Sequence, residues 1–174
     1  MEARQLSDES VPHVQVSLRV RHPTIDPDEI SAALGVKPEH CFKSGDPAQG
    51  RRGVHAQTYW LADIAPGSWL EPVDPSFLET IAARHPGRGA TASAEGFRRM
   101  TQSALTRSVE IMLFYGLQRL NARHAFLERI QSDGGDVSLL LGVERGSAAD
   151  FTLPVTVSRL LVKLGITLEF KFDP

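Results

Sequence analysis

The sequence has a single cysteine, Cys41, so no disulfide can form within the chain, and it contains neither a C-x-x-C nor an H-x-x-x-H pair. These absences exclude a disulfide framework and the usual ligand spacing of a structural zinc site, and a lone thiol suits a reducing compartment. Charge of one sign is also missing: 19 basic residues stand against 21 acidic ones, a formal net charge of −2. No electrostatic bias therefore draws the chain toward nucleic acid or a membrane surface. No apolar run approaches the length of a membrane span, and Met1 to His13 lacks the apolar centre of a signal peptide. The expectation is a cytoplasmic domain with no metal and no cofactor. Its 174 residues suffice for one sizeable core and are few for two.

The chain is organised around Val14 to Asp46. Val14, Val16, Leu18 and Val20 alternate with Gln15, Ser17, Arg19 and Arg21, the period-two pattern of a strand with one buried face. The helix that follows is well punctuated. Asp26 is placed to cap it, Pro27 takes the first helical position, and Glu29 completes a capping-box variant. Ile25 and Ile30 flank the cap as a hydrophobic staple, and Gly35 closes the helix. The spacing of Asp26, Asp28 and Glu29 is explained by capping and the helix dipole rather than by acid–base chemistry.

A shorter version of the same pattern ends the chain. Val137, Leu139, Leu141 and Val143 alternate as a strand; Val157, Leu160, Leu161 and Leu164 follow at helical spacing after Pro154; Gly165 stops the helix; Ile166, Leu168, Phe170 and Phe172 alternate again. Val16-Ser17-Leu18 matches Val137-Ser138-Leu139, and Leu34-Gly35-Val36 matches Leu164-Gly165-Ile166. Two strand–helix–strand copies predict an α+β fold of ferredoxin-like split-βαβ type, a four-stranded antiparallel sheet with helices on one face. Val14–Val20 and Val137–Val143 are expected as adjacent central strands. Leu18, Leu34, Leu139, Leu161 and Phe170 are expected in the core.

Between the copies, Ala56 to Ala62 reads as the second strand, supported by Tyr59 and Trp60. Residues 63–105 then form an insertion between strands two and three; its first part is broken repeatedly by Pro and Gly, with a short helix expected at Pro75 to Arg84. The domain is expected to run over 14–174, with 1–13 as a frayed leader. Glu95 to Ser132 reads as one continuous helix whose apolar set includes Val109, Met112, Leu113, Leu117, Leu120, Leu127 and Ile130. Ile111, Phe114 and Tyr115 lie off that face. A helix apolar on more than one side needs a second cover. A homodimer or a protein partner centred on those three residues is the expectation, with the insertion as the monomer alternative.

The order of these pieces resembles the bacterial domain-of-unknown-function family 4279. The matching residues are Asp26-Pro27, Leu34-Gly35, Lys43-Ser44-Gly45-Asp46-Pro47, Trp60, Leu164-Gly165 and Phe170-Lys171-Phe172-Asp173. They cover both ends of the chain. The segment from Asp63 to Leu105 is longer than the resemblance leads one to expect, and the family brings no activity with it.

The loop Lys43 to Gly53 is the main chemical candidate. Gly-rich turns can aim several N–H groups at an anion, here with Lys43, Ser44, Gly45, Asp46, Arg51 and Arg52, and Trp60 nearby. Arg51-Arg52 stands where a phosphate loop needs Lys followed by Ser or Thr, so this is not a Walker A loop. The plainer reading is a solvated turn. Cys41 beside Phe42 reads as a small buried cysteine. The expected wet positions of the central strands, Ser17, Arg19, Ser138 and Leu140, hold none of the aromatics that RNA-binding sheets use, so nucleic acid is not expected. Two function classes result: a non-enzymatic interaction or binding module, and a small enzyme or anion-binding protein working through the Lys43–Gly53 loop.

Overall fold

The computed structural model describes residues 14–48, 50, 52–64, 109–143 and 153–172. The leader, residues 65–105 of the insertion, on which the Pro75–Arg84 helix was expected, and the first part of the expected Glu95–Ser132 helix lie outside the described residues.

The alternating stretch at the start forms β1 (Val14–His22), as its period demands. Helix α1 (Pro27–Leu34) follows with the expected punctuation: Asp26 accepts a bond from the Asp28 N–H at 3.0 Å, Pro27 opens the helix, and Gly35 closes it at φ 71°. That left-handed backbone favours glycine. Glu29 does not complete the capping box in the contacts seen; its carboxylate reaches Arg129 instead. Ile30 is fully buried and Ile25 packs against the core beside it.

The chain then forms a three-residue strand, β2 (His40–Phe42), turns, and returns as β3 (Thr58–Asp63). Helix α2 (Val109–Asn121) and helix α3 (His124–Ser132) lead into β4 (Asp136–Val143). Helix α4 (Val155–Leu164) and β5 (Thr167–Phe172) complete the described chain. The strands form one sheet in the order β2-β3-β1-β4-β5. β1 is antiparallel to both β3 and β4, β2 is antiparallel to β3, and β5 is parallel to β4.

The α+β class and the central pairing of β1 with β4 agree with expectation, Leu18 lying opposite Leu139. The four-stranded antiparallel, ferredoxin-like arrangement does not form. In that arrangement the last strand would flank β1; here it lies beside β4 and parallel to it, and the Trp60 strand takes the place beside β1. The ten-residue helix α4 returns the chain to the neighbouring parallel position. β2 adds a fifth strand where a loop was expected; three residues are too few to display a period. Cys41, expected to be buried, is exposed on this edge strand.

The core lies on one face of the sheet. Val16, Leu18 and Val20 of β1, Trp60 and Ala62 of β3, and Val137, Leu139 and Leu141 of β4 meet Ile30 and Leu34 of α1, Leu113, Leu117 and Leu120 of α2, Leu127 and Ile130 of α3, and Val157, Leu161 and Leu164 of α4. Phe170, expected here, is 47% exposed because β5 is an edge strand among the described residues. The expected continuous helix breaks at Ala122–Arg123, where the Arg123 N–H turns back to the Leu120 carbonyl at 2.9 Å.

The helices are tied to one another through their ends. Gln131 on α3 donates to the carbonyls of Leu164 at 2.9 Å and Gly165 at 3.1 Å, and His124 Nε2 lies 3.1 Å from the Lys163 carbonyl. These side chains satisfy acceptors that the end of α4 leaves open. His22 organises the β1–α1 connection: its Nδ1 accepts from the N–H groups of Thr24 at 3.0 Å and Ile25 at 2.9 Å, which places the ring hydrogen on Nε2.

Candidate functional site

The Lys43–Gly53 loop is a tightly bonded turn. The Lys43 N–H donates to Asp46 Oδ2 at 2.9 Å and the Asp46 N–H to the Lys43 carbonyl at 3.1 Å. The Gly45 N–H donates to the His55 carbonyl at 2.8 Å and the Ala48 N–H to that of Gly53 at 3.1 Å. The Ser44 N–H donates to Thr58 Oγ1 at 3.1 Å, and that buried hydroxyl in turn donates to the Ile25 carbonyl at 2.7 Å. These amides are thus committed to acceptors inside the loop and at its base. The Lys43 ammonium bonds Asp26 at 2.6 Å. This ion pair raises Lys43 above its ordinary value and, together with the Asp28 N–H, lowers Asp26 below its own.

The other expected loop residues scatter. Arg52 is exposed, and Arg51 lies outside the described residues. Trp60 is fully buried in the core, where its indole N–H donates to Ser31 Oγ at 3.0 Å. Two of the three expected interface residues have described side chains. Tyr115 is 2% exposed inside its own chain, Phe114 is half-buried against the core, and the Ile111 side chain lies outside the described residues. A second subunit is therefore not needed to cover Tyr115.

The face of the sheet opposite the core carries a different arrangement. Register places Phe42, Tyr59, Arg21 and Asp136 in one row across β2, β3, β1 and β4. The next row is His40, Leu61, Arg19, Ser138 and Thr167; the third is Asp63, Ser17, Leu140 and Glu169. Arg21 donates from Nε and Nη2 to Asp136 Oδ2 at 3.2 and 2.8 Å. That bond, the largest influence on it, raises the Arg21 guanidinium above its ordinary value. Arg19 bonds Glu169 through Nη2, and the same nitrogen is 4.0 Å from Asp136.

Two donors at the centre of this face are left over. Arg19 Nε and Ser138 Oγ are buried and have no hydrogen-bond partner among the described residues, and their residues sit directly opposite one another on β1 and β4. Ser138 is 0% exposed and Ser17 6%, although alternation assigns both to the wet side; the Arg19 side chain is 14% exposed. Such donors carry the cost of lost hydration without a replacement bond. Leu61, Leu140, Tyr59 and Phe42 surround them half-buried. At one end Phe42 stacks with His55, 3.7 Å away at 18°, and with Tyr59, 5.2 Å away at 13°.

The strand period alone assigns Arg19 and Ser138 to solvent. Nothing in either strand by itself marks them as a pair, because the register that sets them opposite joins strands 115 or more residues apart. Among the described residues no three His, Cys, Asp or Glu side chains come together as a metal site, and no helix is long and apolar enough to cross a membrane.

No curated protein and no solved structure matches the chain. The model of the family described as "Domain of unknown function (DUF4279)" matches residues 12–173, nearly the whole sequence, and the chain belongs to that family.

Proposed function

We propose that the chain is a non-enzymatic binding module whose contact surface is the polar face of the sheet, and that its ligand is a segment of a partner protein. The observation that carries this reading is the pair of buried, unpartnered donors, Arg19 Nε and Ser138 Oγ, side by side on adjacent strands. They call for a hydrogen-bond acceptor, which a partner supplies by displacing the side chains that bury them, since Ser138 is 0% exposed in the free chain. Arg19 and Arg21 are already balanced by Asp136 and Glu169, so a neutral acceptor such as a peptide carbonyl fits better than an anion, which would compete with those carboxylates. Arginine and aromatic side chains around a small polar centre match the composition of protein interfaces. Stacking of bases is a poorer fit, since Phe42 is already stacked with two rings of its own chain. The lone exposed thiol of Cys41 is in keeping with a reducing, cytoplasmic setting.

The alternative, anion binding by the Lys43–Gly53 loop, has less support because the amides of residues 43–46 and 48 already donate to acceptors inside the loop and at its base. The test is to select peptides from a random displayed library on the wild-type protein and measure them against Ser138→Ala. Loss of one bond to a buried donor is expected to weaken binding about tenfold. Selected peptides that bind both proteins equally, and that shift no amide resonances of β1 and β4, would remove this face from consideration.

A further inference from the structure

We propose that the Arg19–Glu169 ion pair is a latch across the binding face: it holds the Arg19 side chain over Ser138 in the free chain, and a partner is admitted when Arg19 leaves Glu169 for Asp136. This rests on the binding reading above and adds how its site is regulated. Arg19 stands on β1 and Glu169 on β5, with β4 between them. Two strand spacings put their backbones about 10 Å apart. Register sets Ser138 opposite Arg19 and Leu140 opposite Glu169, so the bond from Arg19 Nη2 to Glu169 crosses β4 at Ser138 and Leu140. Among the described residues, the neighbours of Ser138 on this face are Arg19, Thr167, Asp136 and Leu140. Of these, Arg19 is the long side chain that a bond ties down on the far side of β4.

Arg21 shows the contrasting arrangement. It faces Asp136 directly and bonds it with both Nε and Nη2, at 3.2 and 2.8 Å. Arg19 has no acid opposite. It reaches Glu169 with Nη2 and leaves Nε buried, with no hydrogen-bond partner among the described residues. The bond to Glu169 thus holds the guanidinium where one of its donors is desolvated without replacement. A second seat is close at hand, because the same Nη2 is 4.0 Å from Asp136. Passing from Glu169 to Asp136 takes the side chain off Ser138 while keeping it beside a carboxylate. Opening therefore exchanges one ion pair for another instead of breaking one outright. The Glu169 side chain is 37% exposed, so water and salt compete for its end of the latch.

The experiment compares the wild type with Glu169→Gln, first without any partner. Arginine side-chain NMR reads solvent exchange at the Arg19 Nε–H, and the buried Trp60 indole N–H, bonded to Ser31, reports an intact fold. Arg19 exchange is expected to quicken about fivefold in Glu169→Gln, the upper end for a part-exposed ion pair, with Trp60 unchanged. Displayed peptides selected on the wild type are then expected to bind Glu169→Gln about fivefold tighter, a gain absent when both proteins also carry Ser138→Ala. Equal Arg19 exchange in the two folded proteins overturns the latch, whatever the peptides do. Peptides that lose affinity for Ser138→Ala but gain none for Glu169→Gln also overturn it, and leave the binding surface standing. Peptides indifferent to Ser138→Ala remove the surface itself, and with it the regulatory role of the latch. If Glu169→Gln does not fold, the wild type decides: added salt is expected to quicken Arg19 exchange, and a rate independent of salt overturns the proposal.

Discussion

Removing the Ser31 hydroxyl tests whether Trp60 is a structural residue. The Trp60 indole N–H is buried at 0% exposure and donates to Ser31 Oγ at 3.0 Å, while that hydroxyl donates to the Pro27 carbonyl at 2.9 Å. The relay ties β3 to the first turn of α1. Ser31→Ala leaves the indole donor without its acceptor, which costs about 1–3 kcal/mol. Alanine is the better helix former by about 0.5 kcal/mol, which offsets part of this. The net expectation is a loss of about 1–2 kcal/mol. Trp60→Phe removes the donor, so in that background Ser31→Ala should be nearly neutral, with a coupling energy of about 1 kcal/mol. Urea unfolding followed by circular dichroism measures all four corners of the cycle, with unchanged m-values as the check on two-state behaviour. Additive effects, or a Ser31→Ala midpoint equal to wild type, would refute the relay and release Trp60 for another role.

Gly116 on α2 approaches the end of β3 so closely that an added Cβ would stand 2.3 Å from Ile64 Cδ1, and Ile64 is fully buried. Gly116→Ala should therefore destabilise by about 1–3 kcal/mol through overpacking, less the helix-propensity gain of up to about 1 kcal/mol; in an Ile64→Val background, where the 2.3 Å contact is gone and the next lies at 3.3 Å, the same change should cost clearly less. The Asp26–Lys43 pair predicts a pH dependence at both extremes. Asp26 lies below its ordinary value of 3.8, so its contribution is present above that pH and is lost as pH falls through the lowered folded value. Lys43 lies above 10.5, so its contribution is present below that pH and lost as pH rises through the raised value. Lys43→Met should flatten both limbs of a plot of urea midpoint against pH; identical acid limbs for the two proteins would contradict the pairing.

What the sequence makes legible here is local. The cap at Asp26, the proline at the first helical position and the glycines at Gly35 and Gly165 act within a few residues, and the backbone at both glycines is left-handed as their role requires. The inward faces of β1 and β4 follow from alternation alone. The order of the strands does not, because the flanking places of β3 and β5 are set by the packing of α1 and α4, not by any periodicity. β2 is too short to show one. The break at Ala122–Arg123 has no proline or glycine to announce it. Tyr115 counts as surplus apolar surface only while α2 is weighed against the sheet alone, whereas α2 also packs on α4. The donor pair Arg19–Ser138 is the clearest case: each residue sits at a position of its strand that alternation assigns to solvent, yet both donors are buried, and only the pairing of β1 with β4 brings them together.

That pair also provides the most direct test of the account. If the Ser138 hydroxyl is a buried donor held for a partner, the free protein bears its desolvation cost, and Ser138→Ala removes that cost while deleting a single buried oxygen. The urea midpoint of the free protein should then rise, by about 1 kcal/mol of stability, as the same substitution weakens peptide binding. A fall of about 1 kcal/mol or more in the stability of Ser138→Ala would show that the hydroxyl is already bonded in the native protein, and would contradict the assignment of this face as the binding surface.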